Sequence, residues 1–415
     1  MTGDDTHLVV GGGVIGLSVG YFLARDGHRV GIIDRDPSRR ESCSDRNAGM
    51  VVPSHFIPLA APGAITQGLR WMLDRRSPFF LRPRLDPGLW SWCWRFARHA
   101  NRRHVMNTRD LLRDLSLESR DLFEELSGEL GFPLVRNGLL MLCQSAEGMR
   151  EEEEVADMAN ALGIAAEVCG PERLRELDPD ATMQARGGVW FPQDAHLNSE
   201  EFLSALRRGI TNHGGWFRED EIAGFRTRSG AVTHALSSSG EEIPVRSVTL
   251  AGGAWTARLA RQVNLRLPLQ AGKGYSFTLT DPPQLPRLCS LLKEGRVAVT
   301  PMDGTLRVAG TMEICDNDLS IDPVRLEGIV ESFCRFFPAF SPHDFADLEA
   351  WSGLRPCTPD GLPCIGRAPG LSNVNIATGH AMLGLSLGPV TGRLITSLAR
   401  GEKPDRRLDP DRFQR

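Results

Sequence analysis

Short apolar runs alternate with amphipathic stretches along the chain, and the alternation is sharpest near the start. Leu8, Val9 and Val10 form an apolar run, a glycine cluster follows, and residues 14–25 carry helix formers up to the Asp26-Gly27 turn. Arg29 to Ile33 then read as a second strand that ends at Asp34. The pattern predicts strand, glycine turn, helix and strand in that order. Residues 41–63 are rich in small and turn-forming residues and then proline, which predicts an extended loop. Residues 89–130 alternate apolar and charged positions at helical spacing, with Trp90, Trp92, Trp94 and Phe96 crowded at the start. They predict an amphipathic helix facing a core or domain interface, while the tryptophans would also suit a lipid surface or a partner.

Further on, residues 138–145 read as a strand, and the run Glu151 to Glu154 as the solvated opening of a helix that reaches about Leu162. A strand near 187–192, a helix over 199–213 and a strand over 216–225 follow. Residues 246–260 repeat the strand, glycine, helix logic, and a largely strand-like stretch runs from 269 past 314. Near the end, residues 373–401 read as an apolar strand, a Gly-His turn and a helix whose N-terminal amides suit an electron-rich ligand atom. No internal repeat or low-complexity linker separates these parts. Two domains that interleave in sequence are therefore expected.

Bulk composition narrows the function. The formal net charge of −4, from 48 basic and 52 acidic residues, leaves no electrostatic footprint for nucleic acid. A small-molecule partner is expected instead. Nine cysteines without a C-x-x-C pair read as reduced thiols in a cytoplasmic protein, and neither they nor the ten histidines have metal-ligand spacing, so no metal site is expected. No apolar run approaches a membrane span, and the residues before Leu8 are too few and polar to read as a targeting segment, leaving a soluble chain with peripheral membrane contact at most. Only Lys273, Lys293 and Lys403 are lysines, and only Tyr21 and Tyr275 are tyrosines, so Lys273 and Tyr275 in "GKGYS" stand out as candidates for chemistry.

Gly11-x-Gly13-x-x-Gly16, with Val14 and Ile15 inside it, fits a dinucleotide fingerprint. Gly11 permits the tight turn, Gly13 admits a pyrophosphate to the backbone, and Gly16 lets helix and strand pack closely. Asp34 lies 18 positions beyond Gly16, near the distance expected for an acid on a ribose hydroxyl, with Arg35 beside it. These features serve NAD and FAD alike. No second such motif follows, which disfavours a flavin enzyme with a separate nicotinamide domain.

Five ordered motifs together resemble one family. Gly11-x-Gly13-x-x-Gly16 is joined by Ser44-x-x-Asn47-Ala48-Gly49, by Ala251-Gly252-Gly253-Ala254-Trp255, by Gly353-Leu354-Arg355-Pro356 with Thr358-Pro359-Asp360-Gly361, and by Thr378-Gly379-His380. The set resembles the FAD-dependent amine oxidoreductases typified by D-amino-acid oxidase, glycine oxidase and sarcosine oxidase, with the bacterial D-amino-acid dehydrogenase small subunit as the nearest branch. The resemblance implies an α/β fold (α+β overall): a discontinuous Rossmann-like FAD domain at 1–59, 194–261 and 351–415, interleaved with a substrate domain at 60–193 and 262–350 on a mainly antiparallel sheet.

It also implies roles. FAD would be held by the fingerprint, by Ser44, Asn47, Ala48, Gly49 and Met50 along the flavin, by Ile222 at the adenine, and by Ala251, Gly252, Trp255 and Gly353. Gly379, His380, Met382, Leu383 and Gly384 would set helix amides near the flavin edge that gains negative charge. Arg355 would bind a substrate carboxylate in bidentate fashion. Tyr275, His55 and His380 are further substrate-side candidates, Lys273 is one toward the cofactor, and Cys357 is expected to be a buried thiol and not a flavin tether. The implied reaction is hydride transfer from Cα of a D-amino acid or cyclic imino acid to flavin N5, giving an imine and then a 2-oxo acid. Alternatives are a glycine or N-alkylglycine oxidase and a D-proline or 4-hydroxy-D-proline dehydrogenase. Ala381, Met382 and Leu383 replace the glycine-richer turn of the oxidases, which favours a quinone or carrier over oxygen as acceptor. Outside this class stand a non-catalytic or RNA-modifying flavoprotein and an NAD-dependent dehydrogenase.

Overall fold

The computed structural model describes residues 5–36 and 42–414. Its first sheet has six strands in the order Cys364–Arg367, Val374–Thr378, Ser247–Leu250, Thr6–Val10, Arg29–Asp34 and Trp216–Glu219. All neighbours are parallel except the edge pair of Cys364–Arg367 with Val374–Thr378. The strand Thr6–Val10 is buried throughout, as a parallel strand covered on both faces must be. The helix Val14–Arg25 covers one face and packs on Gly388–Ala399 and Ser199–Asn212. Close approach needs missing side chains: a Cβ on Gly392 would meet the Ser18 carbonyl oxygen at 2.6 Å.

The larger sheet runs Trp351–Cys357, Gln270–Leu279, Thr305–Cys315, Val297–Met302, Cys289–Leu292, Leu139–Cys143, Gly187–Phe191 and Glu167–Cys169, with Phe79–Leu81 added beside Thr305–Cys315. It is mainly antiparallel. The strand Trp351–Cys357 belongs to this sheet, although the expected boundary at 351 assigned it to the nucleotide unit; its ten-residue partner Gln270–Leu279 holds it through seven paired positions. A three-stranded antiparallel flap, 222–244, completes the nucleotide side.

Three expectations change. The stretch 89–130 is two helices, Pro87–His99 and Arg102–Leu130, because Asn101 leaves the helical conformation and its side chain accepts from the His104 amide at 3.0 Å. Glu151 to Glu154 lie within a helix that starts at Ala146, and Glu152 is buried against Lys293 at 2.5 Å, so that run is not a purely solvated face. The strand expected over 216–225 is cut at Asp220 and Glu221 into two strands of different sheets.

Candidate active site: a cleft between two sheets

A cleft lined by Asp220, Glu221 and Ile222, by Gly11, Gly13, Val14 and Ile15, and by Arg355 and His380 runs between the two sheets. Its walls come from the C-terminal ends of the parallel strands on one side and from the strand Trp351–Cys357 on the other. Parallel sheets place ligands at that end.

The nucleotide end is built from backbone. Gly11 sits at φ +116°, and a Cβ there would lie 2.5 Å from the Ala251 carbonyl oxygen. A Cβ on Gly16 would overlap the Gly11 carbonyl oxygen, so the helix can approach its strand only through glycine. Gly13 caps the helix without offering a side chain, leaving amides directed at the cleft. Ser44 supplies a hydroxyl there, accepting from the Val14 amide at 3.0 Å. Asp34 ends its strand with one carboxylate oxygen on the Gly12 amide and the other on the Asp36 amide at 2.8 Å. The Arg35 guanidinium lies 4.6 Å from the Trp255 ring, and both line the cleft beside Ile222.

A half-buried arginine and a buried histidine build the far end. Among the described residues Arg355 has no carboxylate partner in an ion pair, and burial lowers its pKa from the ordinary arginine value. Its Nη1 donates to the Thr311 carbonyl at 2.9 Å. A desolvated guanidinium without a counter-ion favours an anionic ligand. His380 donates from Nε2 to Thr391 Oγ1 at 2.9 Å, because the Thr391 hydroxyl proton is committed to the Leu387 carbonyl at 2.7 Å. Its Nδ1 is therefore an unprotonated acceptor, buried without a hydrogen-bond partner, and burial holds the ring neutral with a pKa near 3.

Of the sequence candidates, Gly11, Gly13, Val14, Ile15, Asp34, Arg35, Ser44, Asn47, Ile222, Ala251, Gly252, Trp255, Arg355, His380 and Gly384 meet along this cleft. Others lie elsewhere. Tyr275 and Lys273 point to the opposite face of the sheet, where the Tyr275 hydroxyl donates to Glu313 at 3.1 Å and Lys273 reaches the Ser320 carbonyl at 2.7 Å. The β-strand period puts Gly272 and Gly274, not their neighbours, on the Arg355 side. His55 pairs with Ser54 at 3.0 Å outside the cleft lining. Gly49 packs on the Leu197 carbonyl and Met50 pairs with His196 behind the loop, while Ala48 packs against the core. Gly353 lies under the Trp351 indole, and Gly379 against Thr358. Met382 is half-exposed, with Leu383 beside it in a short turn, and neither lines the cleft; the following helix begins at Gly388. Cys357 is a buried thiol.

Sequence reasoning missed Arg307, which is buried on Thr305–Cys315 and donates to the Asn47 carbonyl at 3.1 Å and to Thr278 Oγ1 at 3.1 Å. It ties the 42–49 loop to the larger sheet. Cys43, whose pKa burial raises, and Gly253 also line the cleft. An isolated buried arginine in an arginine-rich chain carries no local signal.

The family model described as "FAD dependent oxidoreductase" matches residues 7–398. The chain belongs to this family. A D-amino acid dehydrogenase of Methylobacterium sp. (strain 4-46) is 31% identical over 407 residues, covering 96% of each chain. Among solved structures, glycine oxidase from Geobacillus kaustophilus superimposes with a TM-score of 0.77 at 23% identity, covering 98% of each chain. L-proline dehydrogenase from P. horikoshii gives a TM-score of 0.73 at 19% identity, covering 99% of this chain and 98% of that one. The two structures share the fold. As an FAD-dependent oxidoreductase the chain needs a long, two-ended cleft, and the one described fits: a glycine turn and a helix N-terminus for a pyrophosphate, a carboxylate at the next strand end, and a buried neutral imidazole far along the chain from all of them. Among the described residues no cluster of His, Cys, Asp or Glu is arranged to hold a metal, and no helix is long and apolar enough to cross a membrane.

Proposed function

We propose that the chain dehydrogenates a D-amino acid or a cyclic imino acid whose carboxylate is held by Arg355. The single observation that carries this reading is the half-buried Arg355 guanidinium at the cleft, with no carboxylate partner among the described residues. The relatives named D-amino acid dehydrogenase support the substrate class. Gly11, Gly13 and Val14 take the pyrophosphate, Asp34 the adenosine ribose, and Ile222 the adenine side, while Ser44, Asn47, His380 and Gly384 flank the flavin. When bound, FAD supplies a two-electron acceptor at N5 for the hydride that leaves Cα.

The chain's own part is positioning. Arg355 fixes the carboxylate and thereby the direction of the Cα hydrogen, and the apolar cleft walls exclude bulk water from it. The ammonium proton leaves to water before transfer, and water afterwards hydrolyses a linear imine to a 2-oxo acid and ammonia. Neutral His380 adds no charge near the reacting carbon. Anaerobic mixing of the yellow holoprotein with panels of D- and L-amino acids tests the reading: bleaching by D-amino or imino acids is expected, and a panel that leaves the flavin oxidised overturns it.

For the acceptor we propose a quinone held at an anionic lipid surface. Trp90 and Trp94, each 58% exposed, project from the helix whose buried residues Leu89 and Trp92 pack on Met312 and Cys357 in the wall beside Arg355. Leu69, Leu73 and Leu85 are also exposed nearby in sequence, and Arg95, Arg102 and Arg103 enter no ion pair among the described residues. Arg98 lies over the Trp94 ring at 4.8 Å, and exposed aromatic side chains beside arginine complement an anionic interface. Co-sedimentation with phosphatidylglycerol vesicles but not phosphatidylcholine vesicles is expected, lost in the Trp90→Ser/Trp94→Ser variant; equal recovery with both lipids, or an undiminished variant, contradicts it.

A further inference from the structure

We infer that Gly274 and the Thr311 carbonyl form a guanidinium cradle that sets the orientation of Arg355, making them positioning residues for the substrate carboxylate. This rests on the reading of Arg355 given above. The strand Gln270–Leu279 pairs with Thr305–Cys315 at Lys273 with Glu313 and at Tyr275 with Gly310. One residue, Gly274, therefore faces two, Thr311 and Met312: a bulge in the strand directly opposite the substrate arginine.

Both members of the bulge act on Arg355. A Cβ at Gly274 would overlap Nη1 and Nη2 and would stand 2.5 Å from Cζ, so all three atoms lie almost equally close above the Gly274 backbone. The guanidinium plane thus rests flat on glycine. Its edge is fixed by the bond from Nη1 to the Thr311 carbonyl at 2.9 Å. Thr311 achieves this at φ +68°, the one β-branched residue among the described non-glycine residues with positive φ. Such a conformation is strained for a branched side chain and persists only where its surroundings over-determine it.

Those surroundings lie on both flanks of the bulge. Met312 donates from its amide to the Pro78 carbonyl at 2.8 Å, which seats the strand Phe79–Leu81 against the bulged segment. On the far face Glu313 accepts from Arg82 at 2.8 Å and from Tyr275 Oη at 3.1 Å, with Lys273 Nζ at 3.6 Å. The two residues of "GKGYS" that rarity singled out thus hold the bulge from behind, while the glycine between them meets the guanidinium. With one edge committed to Thr311, Arg355 keeps its remaining donors in a fixed plane for a planar anion.

The test uses the FAD-loaded full chain, with benzoate as carboxylate probe and benzamide as its neutral counterpart, both read by perturbation of the flavin spectrum. Gly274→Ala is expected to weaken benzoate at least tenfold while leaving benzamide and flavin content unchanged, and to raise KM for the amino acid more than it lowers kcat. Thr311→Gly keeps the carbonyl but frees it; an unchanged or higher Tm with benzoate weakened several-fold is expected. Wild-type benzoate affinity in Gly274→Ala, or in Thr311→Gly should the alanine variant fail to load flavin, overturns the cradle. Arg355→Leu separates the two ideas: benzoate binding lost there but intact in both cradle variants rejects the cradle alone, whereas benzoate binding intact in Arg355→Leu rejects the carboxylate reading itself.

Discussion

The two ends of the cleft are built from opposite materials. At the nucleotide end, Gly11, Gly13 and Gly16 do their work by having no side chain, and the ligand-facing groups are backbone amides and a helix terminus. At the substrate end the facing groups are a half-buried arginine and a buried neutral histidine, supported by a second tier of buried charge in Lys273, Glu313 and Arg325. Backbone recognition is local in sequence and tolerates no added volume; side-chain recognition is assembled from distant strands and tolerates no loss of charge balance. The contrast predicts different failures at each end.

The largest effect is expected from Gly16→Val. Overpacking against a backbone oxygen cannot be relieved by a rotamer change, so the variant should lose bound flavin and most of its folded yield, read from the ratio of 450 to 280 nm absorbance. A yellow, stable Gly16→Val protein would break the comparison at its first term. Arg355→Leu should instead keep its flavin but weaken substrate about 100-fold, the worth of a charge-assisted bidentate contact of roughly 3 kcal/mol. Stopped-flow reduction against substrate concentration measures it.

Glu313→Gln probes the second tier. Removing the acid leaves fully buried Lys273 with only half-exposed Asp318 as a carboxylate partner, and a cost of about 3 kcal/mol is expected by chemical denaturation. A loss under about 1 kcal/mol would mean that this network behaves as a surface pair.

The smallest effect is a pH slope. Burial pushes the Asp194 carboxyl from its ordinary value up to about 7, against the two bonds it accepts from Ser54. Between about pH 4 and 7 the folded chain keeps a proton that the unfolded chain has lost, so stability falls as pH rises through that window and levels off above it. Asp194→Asn should flatten the slope in urea midpoints measured across the same range; an unaltered slope would place its origin elsewhere.

The same contrast explains what could be read from the chain. The glycine turn, its strand and helix, and Asp34 lie within 30 residues, each required by local geometry, and all stand where the pattern put them. Arg355 drew attention through its motif, and the strand Trp351–Cys357 brings it to the cleft. The "GKGYS" segment was noticed for the wrong residues: rarity drew attention to Lys273 and Tyr275, whereas the strand period and a bulge set by pairing with residues 310–313 turn Gly274 to the site. Arg307 and Thr311 left no trace, since a buried arginine among many exposed ones and a positive φ at threonine are products of tertiary pairing. The break at Asn101 was written in the sequence as an N-cap but hidden by continuous helical periodicity on both sides.

The central claim is that a carboxylate anchored by Arg355 presents an amine-bearing carbon to the flavin. Anaerobic titration of the holoprotein with the D-amino acid that bleaches it best, set beside the carboxamide of the same amino acid, tests this most directly. The acid is predicted to reduce the flavin at concentrations about 100-fold below those the amide needs, the discrimination expected when a buried charge is left unpaired. Equal bleaching by acid and amide would contradict the account.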